Sequence, residues 1–355
     1  MRSIDISRTG VFSLVATSVA ALAWIGFAHA GDAEQKAVDA IHGGPGWTSR
    51  DDKLPGKPVT GVYFNTRIFD PVPLKFVVPQ LKQLRVIEAV DCTITDEVLA
   101  AFGSFEHLEG MNLIWSKAGH TDGLKGLASA KKLGWIHMDN TELTDSGLIE
   151  IGKCPELAHL HIGYTRITDD GLKHLAGMPR LYRLVISNNR RINGSGLVHL
   201  VKARNLHAIH LDETPAGDEA MKSIGAMEGL VMLGLSGSKV TDAGLESLRN
   251  HKALAILGLE RTTMGDEGLV HLRDLPNLRW LHIDETRVTD AGVLAFERIA
   301  QLQGLDLGGT RITDACAPHV GKGKGLIRLH LHSTPLTDRG VTALAELKGL
   351  QHLRL

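Results

Sequence analysis

Along its apolar positions the chain repeats itself. Leucine opens a unit at Leu84, Leu108, Leu133, Leu157, Leu181, Leu206, Leu230, Leu254, Leu278, Leu302, Leu326 and Leu350, at spacings of 24 residues with two of 25. A fixed period of this size is the signature of a solenoid rather than of one globular centre. Most units begin Leu-x-x-Leu-x-Leu or a close aliphatic variant, as at Leu230, Leu233 and Leu235 or at Leu326, Leu329 and Leu331. Apolar residues in the fourth and sixth slots alternate with more polar ones, which is the period of a strand with one face buried. The ninth slot holds Thr141, Thr165, Thr214, Thr262, Thr286, Thr310 and Thr334, with Cys92, Ser116, Asn189 and Ser238 as substitutes. All are small side chains able to hydrogen bond. At a turn leaving a buried strand, such a row is expected to satisfy backbone groups from coil to coil.

The phrase aliphatic-Thr-Asp-x-Gly-aliphatic follows, intact over Leu143–Leu148, Ile167–Leu172, Val240–Leu245 and Val288–Val293. Thr or Asp before an apolar helical pattern predicts an N-cap, and an acid in the first turn complements the helix dipole. The recurrent glycine (Gly147, Gly171, Gly244, Gly268, Gly292, Gly340) is read as allowing neighbouring backbones to approach. A short helix is then expected, as in the stretch after Gly171, burying Leu172 and Leu175. Pro155, Pro179 and Pro276 share one slot just before a strand, where a missing N–H suits a loop. One unit is thus a strand, a turn and a short helix. The predicted fold class is α/β: a horseshoe-shaped solenoid with a parallel sheet on its concave face and short helices on its convex face.

The pattern Leu-x-x-Leu-x-Leu-x-x-Thr-x-Ile-Thr-Asp-x-Gly-Leu resembles the leucine-rich repeat. Within it, the 24-residue unit is similar to the cysteine-containing subfamily of F-box substrate receptors. Together with the N-terminal stretch through Phe64, it also resembles a group of exported bacterial leucine-rich repeat proteins. The resemblance runs from about Val59 to Leu355, and all twelve leading leucines carry it. Some units depart from it. The unit at Leu108 loses register around Ser116 to Thr121, and that at Leu181 has Asn193-Gly194 in place of Thr-Asp. The unit at Leu206 has Gly217 for the capping Thr and Ala220 for Gly, and Cys316 replaces Gly in the unit at Leu302. Weaker or shifted helices are expected there.

Before the repeats, Arg2 and Arg8 precede an apolar run from Val11 to Phe27 and then Ala28-His29-Ala30. That order of charge, apolar core and small-x-small site predicts a signal peptide over residues 1–30. The alternative is an uncleaved anchor, which would want ~20 apolar residues. Residues 31–58 read as a leader with helical character around Ala37 to Ile41, followed by a loop rich in glycine and proline. Residues 59–83 read as an N-terminal capping coil, with Val59, Val62 and Phe64 in leucine slots. Residues 84–355 hold eleven full units and a terminal half unit. The chain stops at Leu355, in a strand whose Leu350, Leu353 and Leu355 should face the core. Coverage of that end by self-association is one expectation.

Charge adds an exclusion. With 39 basic and 40 acidic residues the chain is formally at -1, which argues against a nucleic-acid partner. The three cysteines, Cys92, Cys154 and Cys316, lie in different units and suggest no disulfide framework. No metalloprotease, P-loop or nucleophile-elbow motif is present. The expectation is no catalysis and no cofactor.

What remains is the outward face of the strands. Slots three, five, seven and eight are expected to point away from a rigid sheet, a natural place for recognition. The candidates are Trp135, His137, Asp139, His159, His161, Tyr164, His210, Asp212, Trp280, His282, Asp284, His330 and His332. The pairs His159/His161 and His330/His332 would suit a divalent metal if a third ligand converged, such as His352 near the second pair. The leading expectation is an exported, periplasmic or secreted interaction scaffold. Its partner, a protein or glycan of unknown identity, would bind on the concave sheet, with no membrane span after signal removal. A substrate-recognition subunit of a ubiquitin-ligase-like complex is the first alternative, and a metal-binding or enzymatic protein using the histidines is the second.

Overall fold

The computed structural model describes residues 30–44, 46–65, 80–118, 121–299 and 301–355. The predicted signal segment, apart from Ala30, lies outside the described residues, as does most of the capping coil beyond Asn65. Among the described residues no helix is long and apolar enough to cross a membrane. The chain divides into two compact units, with the boundary between Thr141 and Glu142. Coils in a repeat array touch only their neighbours, so an array can be parted between successive coils.

The first unit opens with α1 (Ala30–His42), whose Ala37, Val38 and Ile41 are buried. The stretch expected to be a loop contains β1 (Gly46–Arg50), which pairs antiparallel with β2 (Val59–Asn65). Sequence reading missed β1 because Gly46 looks like a breaker. Here it lies opposite Phe64, whose ring occupies the space a Cβ would need. Then come β3 (Val86–Val90), β4 (Gly110–Asn112) and β5 (Trp135–His137), parallel and in register with one another and with β2.

The second unit adds nine three-residue strands: β6 (His159–His161), β7 (Arg183–Val185), β8 (Ala208–His210), β9 (Met232–Gly234), β10 (Ile256–Gly258), β11 (Trp280–His282), β12 (Gly304–Asp306), β13 (Arg328–His330) and β14 (His352–Arg354). All pair parallel in sequence order, so the same slot in successive coils stands side by side. Leu157, Leu160, Ile162, Leu172 and Leu175 are fully buried, and their counterparts in the neighbouring coils through β12 are buried too. Several of the short helices are of the tighter 3-10 kind, including Asp169–Leu175 and Ser195–Leu200.

Two local devices differ from expectation. Apart from Thr165, whose hydroxyl also reaches Asn189 of the next coil, the ninth-slot threonines bond within their own turn. Each donates its hydroxyl to the carbonyl three residues back, as Thr214 does to Leu211 (2.6 Å) and Thr310 to Leu307 (2.6 Å). The coil-to-coil role falls to two of the substitutes, Ser116 on Ala89 and Asn189 on Ile162.

The Thr-Asp-x-Gly phrase, in contrast, works between coils. Asp145, Asp218, Asp266, Asp290 and Asp314 each accept both the backbone N–H and the hydroxyl of the next coil's threonine: Thr168, Thr241, Thr289, Thr313 and Thr337. The glycine makes room for that carboxylate. A Cβ on Gly171 would sit 2.3 Å from Asp145 Oδ1, and one on Gly292 2.3 Å from Asp266 Oδ1. The expected backbone-to-backbone approach is therefore mostly backbone to carboxylate.

The unit at Leu206 also corrects the reading. Its helix Asp218–Gly225 is eight residues long rather than weakened. Ala220 is a better helix former than the glycine it replaces. Its methyl fits because the preceding coil has Gly194 where an aspartate would stand, and a Cβ on Gly194 would be 2.2 Å from that methyl.

Candidate functional site

The outward sheet face of the second unit carries two linked groups of side chains. In the first, Arg183 on β7 reaches His210 on β8, its Nη2 3.1 Å from the ring Nε2. A guanidinium only donates, so Nε2 accepts and the ring proton sits on Nδ1, 3.5 Å from Asp212 Oδ2. Asp212 also accepts from the Ser187 hydroxyl (3.1 Å) and the Ser236 N–H (3.0 Å). Ser236 passes the connection to Glu260 through its own hydroxyl. Burial would raise the Asp212 pKa, but the hydrogen bonds from His210, Ser236 and Ser187 outweigh it and hold the carboxyl below its ordinary value.

The second group centres on Asp306 in β12, a carboxylate only 7% exposed. His282 Nδ1 from β11 lies 2.6 Å from Oδ2, and His330 Nδ1 from β13 lies 3.0 Å from Oδ1. Arg328 Nε is 4.0 Å away, and the Arg328 guanidinium stacks over Trp280 at 4.7 Å. Trp280 can lie flat because β12 presents Gly304 beneath it, where a Cβ would meet the indole at 2.1 Å. The hydrogen bond to Asp306 raises the His282 pKa, burial opposes, and the charges of Asp306 and Glu260 add to the rise. Burial acts upward on Asp306, yet His282, then His330 and Arg328, bring it below the ordinary value. Asp284, beside them, is raised by burial first and by the charge of Asp306 second.

The structure brings His210 with Asp212, and Trp280, His282 and His330 with Asp306. It keeps other candidates apart from these groups. Trp135 and His137 in the first unit lie with ring centroids 5.0 Å apart, and Asp139 is half-buried in the same coil. His159 meets Tyr182 (5.9 Å), which stacks on His207 (4.8 Å), while His161 points from the same strand. Tyr164 is not on the sheet face. Slot eight is a turn with positive φ, which Tyr164 adopts at 52°, as do Trp115, Asn188, Glu213 and Arg261.

The histidine pairs do not converge on a metal geometry. His330 turns to Asp306, and His332 lies over Gly308. Among the described residues no three or more of His, Cys, Asp and Glu are grouped to hold an ion. Cys92, Cys154 and Cys316 are buried, and burial with the nearby charges of Asp290 and Asp314 pushes the Cys316 thiol up to about 12. Sequence reading missed Asp306, Arg183, Ser236 and Arg328. Reading slots three, five and seven in every unit, whatever residue they hold, would have found all four.

The leucine rich repeat family model matches residues 153–176. A crystal structure of an internalin from Listeria monocytogenes aligns with a TM-score of 0.62 at 20% identity, covering 79% of this chain and 83% of that one. The fold is a leucine-rich repeat solenoid. A plant peptide hormone receptor (TM-score 0.46, 14% identity, 79% of this chain and 60% of that one) and an internalin C2 of Listeria monocytogenes (0.43, 20%, 66% and 83%) align less well. No curated protein sequence gives a significant match. Because 518 solved chains match this solenoid, the fold alone selects no function.

Proposed function

We propose that the protein is an exported interaction scaffold that binds a partner, protein or glycan, on the outward face of its parallel sheet. The observation that carries this reading is the pair of networks around Asp212 and Asp306. Apart from the buried Asp306, their side chains are half-exposed, and they lie on or beside in-register strands and are fixed by one another. A surface needed only for solubility does not require such mutual ordering, which costs side-chain entropy. Binding does gain from it, because side chains already held lose less freedom on contact. Trp280 capped by Arg328 has the composition typical of an interface anchor. Export rests on Arg2, Arg8 and the apolar run to Phe27.

The test is partner capture from an envelope extract with the wild type and with Trp280→Ala/His282→Ala. Loss of specific partners from the variant is expected. The same set retained by both would remove the sheet face from consideration. Fractionation of cells expressing the chain with and without residues 1–30 tests export separately.

A further inference from the structure

A second surface lies on the turn side of the sheet, apart from the networks above. A groove of about 480 Å³ is lined by Tyr164, Thr165, Arg166, Asn188, Arg190, Arg191 and Glu213. Its two main walls are the coils at Leu157 and Leu181, joined beneath by Asn189, which is fully buried, and Glu213 reaches in from the next coil. Asn189 donates to Ile162 O and Ile186 O (2.9 Å each) and accepts from Thr165 N–H (2.7 Å) and Oγ1 (3.0 Å). Where other coils use a threonine that bonds only within its own turn, this one uses a longer side chain that fixes both walls. The unit is also one residue longer than the standard 24, and where the preceding unit carries Arg166 alone it carries Arg190 and Arg191.

The charges in the groove do not cancel. Arg166 pairs with Glu142 (3.1 Å), and Glu213 is taken by Arg261 from two coils away. Arg190 and Arg191 are exposed and form no ion pair among the described residues, so the groove holds two uncompensated guanidinium groups. Beside them stands Tyr164, 60% exposed, with φ of 52° and no hydrogen bond from its phenol. Glycine fills the same slot at Gly237 and Gly309 without strain. A bulky residue in left-handed backbone stores strain, here at a slot that is left-handed in the other coils too.

We propose that this groove docks a short acidic segment of a partner protein, its carboxylates on Arg190 and Arg191 and an adjacent apolar side chain on Tyr164. Guanidinium forks match carboxylates in two-point geometry. The groove is compact rather than a long stripe, which suits one or two carboxylates and not a polyanion. The proposal is independent of the sheet-face reading, since no residue is shared with the Asp212 or Asp306 networks.

The test is fluorescence anisotropy of the full chain with a fluorescein-labelled Glu-Glu-Phe-Glu-Glu peptide at low and physiological salt. Saturable binding that weakens with salt is expected, falling about tenfold in Arg190→Ala/Arg191→Ala, the scale of losing two exposed ion pairs. Arg287→Ala/Arg311→Ala, which removes the same charge elsewhere on the turn edge, is expected to bind as the wild type does. Tyr164→Gly is expected to raise the melting temperature while weakening binding roughly threefold, because it relieves the strain and removes the contact. The proposal is overturned if both double variants lose affinity equally, or if a Gln-Gln-Phe-Gln-Gln peptide binds as well. It is also overturned if Tyr164→Gly leaves affinity unchanged, or if a sulfated heparin oligosaccharide outcompetes the peptide at the groove.

Discussion

Asp145 and Thr168 stand on successive coils and share two hydrogen bonds, Thr168 N–H to Oδ1 at 2.7 Å and Thr168 Oγ1 to Oδ2 at 2.6 Å. The same pair recurs at Asp266 and Thr289, with Gly292 open beneath the carboxylate. The contact is therefore a stitch between repeats rather than an ornament on one helix. Asp266→Ala leaves the Thr289 N–H and hydroxyl without their acceptor, and should cost about 1–3 kcal/mol in urea unfolding. Gly292→Ala should cost a similar ~1–3 kcal/mol by overpacking, since its methyl takes the place of Oδ1. A change within experimental error for both would show that the stitch contributes nothing.

Gly194 and Ala220 make the reverse of that arrangement, with the methyl on the second coil and the open position on the first. Gly194→Ala should destabilise on two grounds, its φ of 92° and the 2.2 Å approach to the Ala220 methyl. Adding Ala220→Gly relieves the second ground only. The double variant should therefore recover part of the loss, with a coupling of about 0.5 kcal/mol or more in a double-mutant cycle. Simple additivity would show that the two positions are unconnected.

The coils were legible in the sequence because burial imposes a period that leucines obey, from Leu84 to Leu350. The sheet face obeys no such rule. Asp306 stands in a slot that several other coils fill with histidine, and its significance comes from His282 and His330 on either side, a relation across 24 residues each way. Tyr164 shows a different limit. Period alone places it beyond the strand, but only the backbone reveals that slot eight turns left-handed in every coil from Asp91 to Ser333, with glycine in just two of them. The stitch was hidden for the same reason: Thr168 and Asp169 look like one motif, whereas the hydrogen bonds join Thr168 to Asp145.

His251 occupies a slot that is apolar in other coils, as at Cys154, Met178, Met227 and Leu275, and it is 4% exposed. Its Nε2 lies 2.9 Å from Met227 O, while Nδ1 is buried without a partner. Met227 O also accepts from Leu230 N–H (3.0 Å), so removing the imidazole does not orphan that carbonyl. His251→Leu deletes an unsatisfied buried atom and keeps an apolar body, and should stabilise the protein by about 1 kcal/mol. Thermal unfolding checks it. A lower melting temperature would mean that the bond to Met227 outweighs the buried Nδ1.

His282 and Asp306 make stability depend on pH from both sides. The His282 pKa is raised above 6.5, so its contribution is complete below 6.5 and fades as pH rises through the raised value. The Asp306 pKa is lowered below 3.8, so its contribution is complete above 3.8 and fades as pH falls through the lowered value. The contact is strongest between those two ordinary values, where the imidazolium and the carboxylate coexist. In Asp306→Asn the acceptor charge disappears, and the His282 titration followed by NMR should move down toward 6.5. Burial of the ring then acts with less opposition and favours the neutral form. The variant's stability should also lose the His282-dependent part of its fall above pH 6.5, so the wild-type and Asn curves should converge as pH rises. An unchanged His282 titration in Asp306→Asn would show that the carboxylate does not hold that proton.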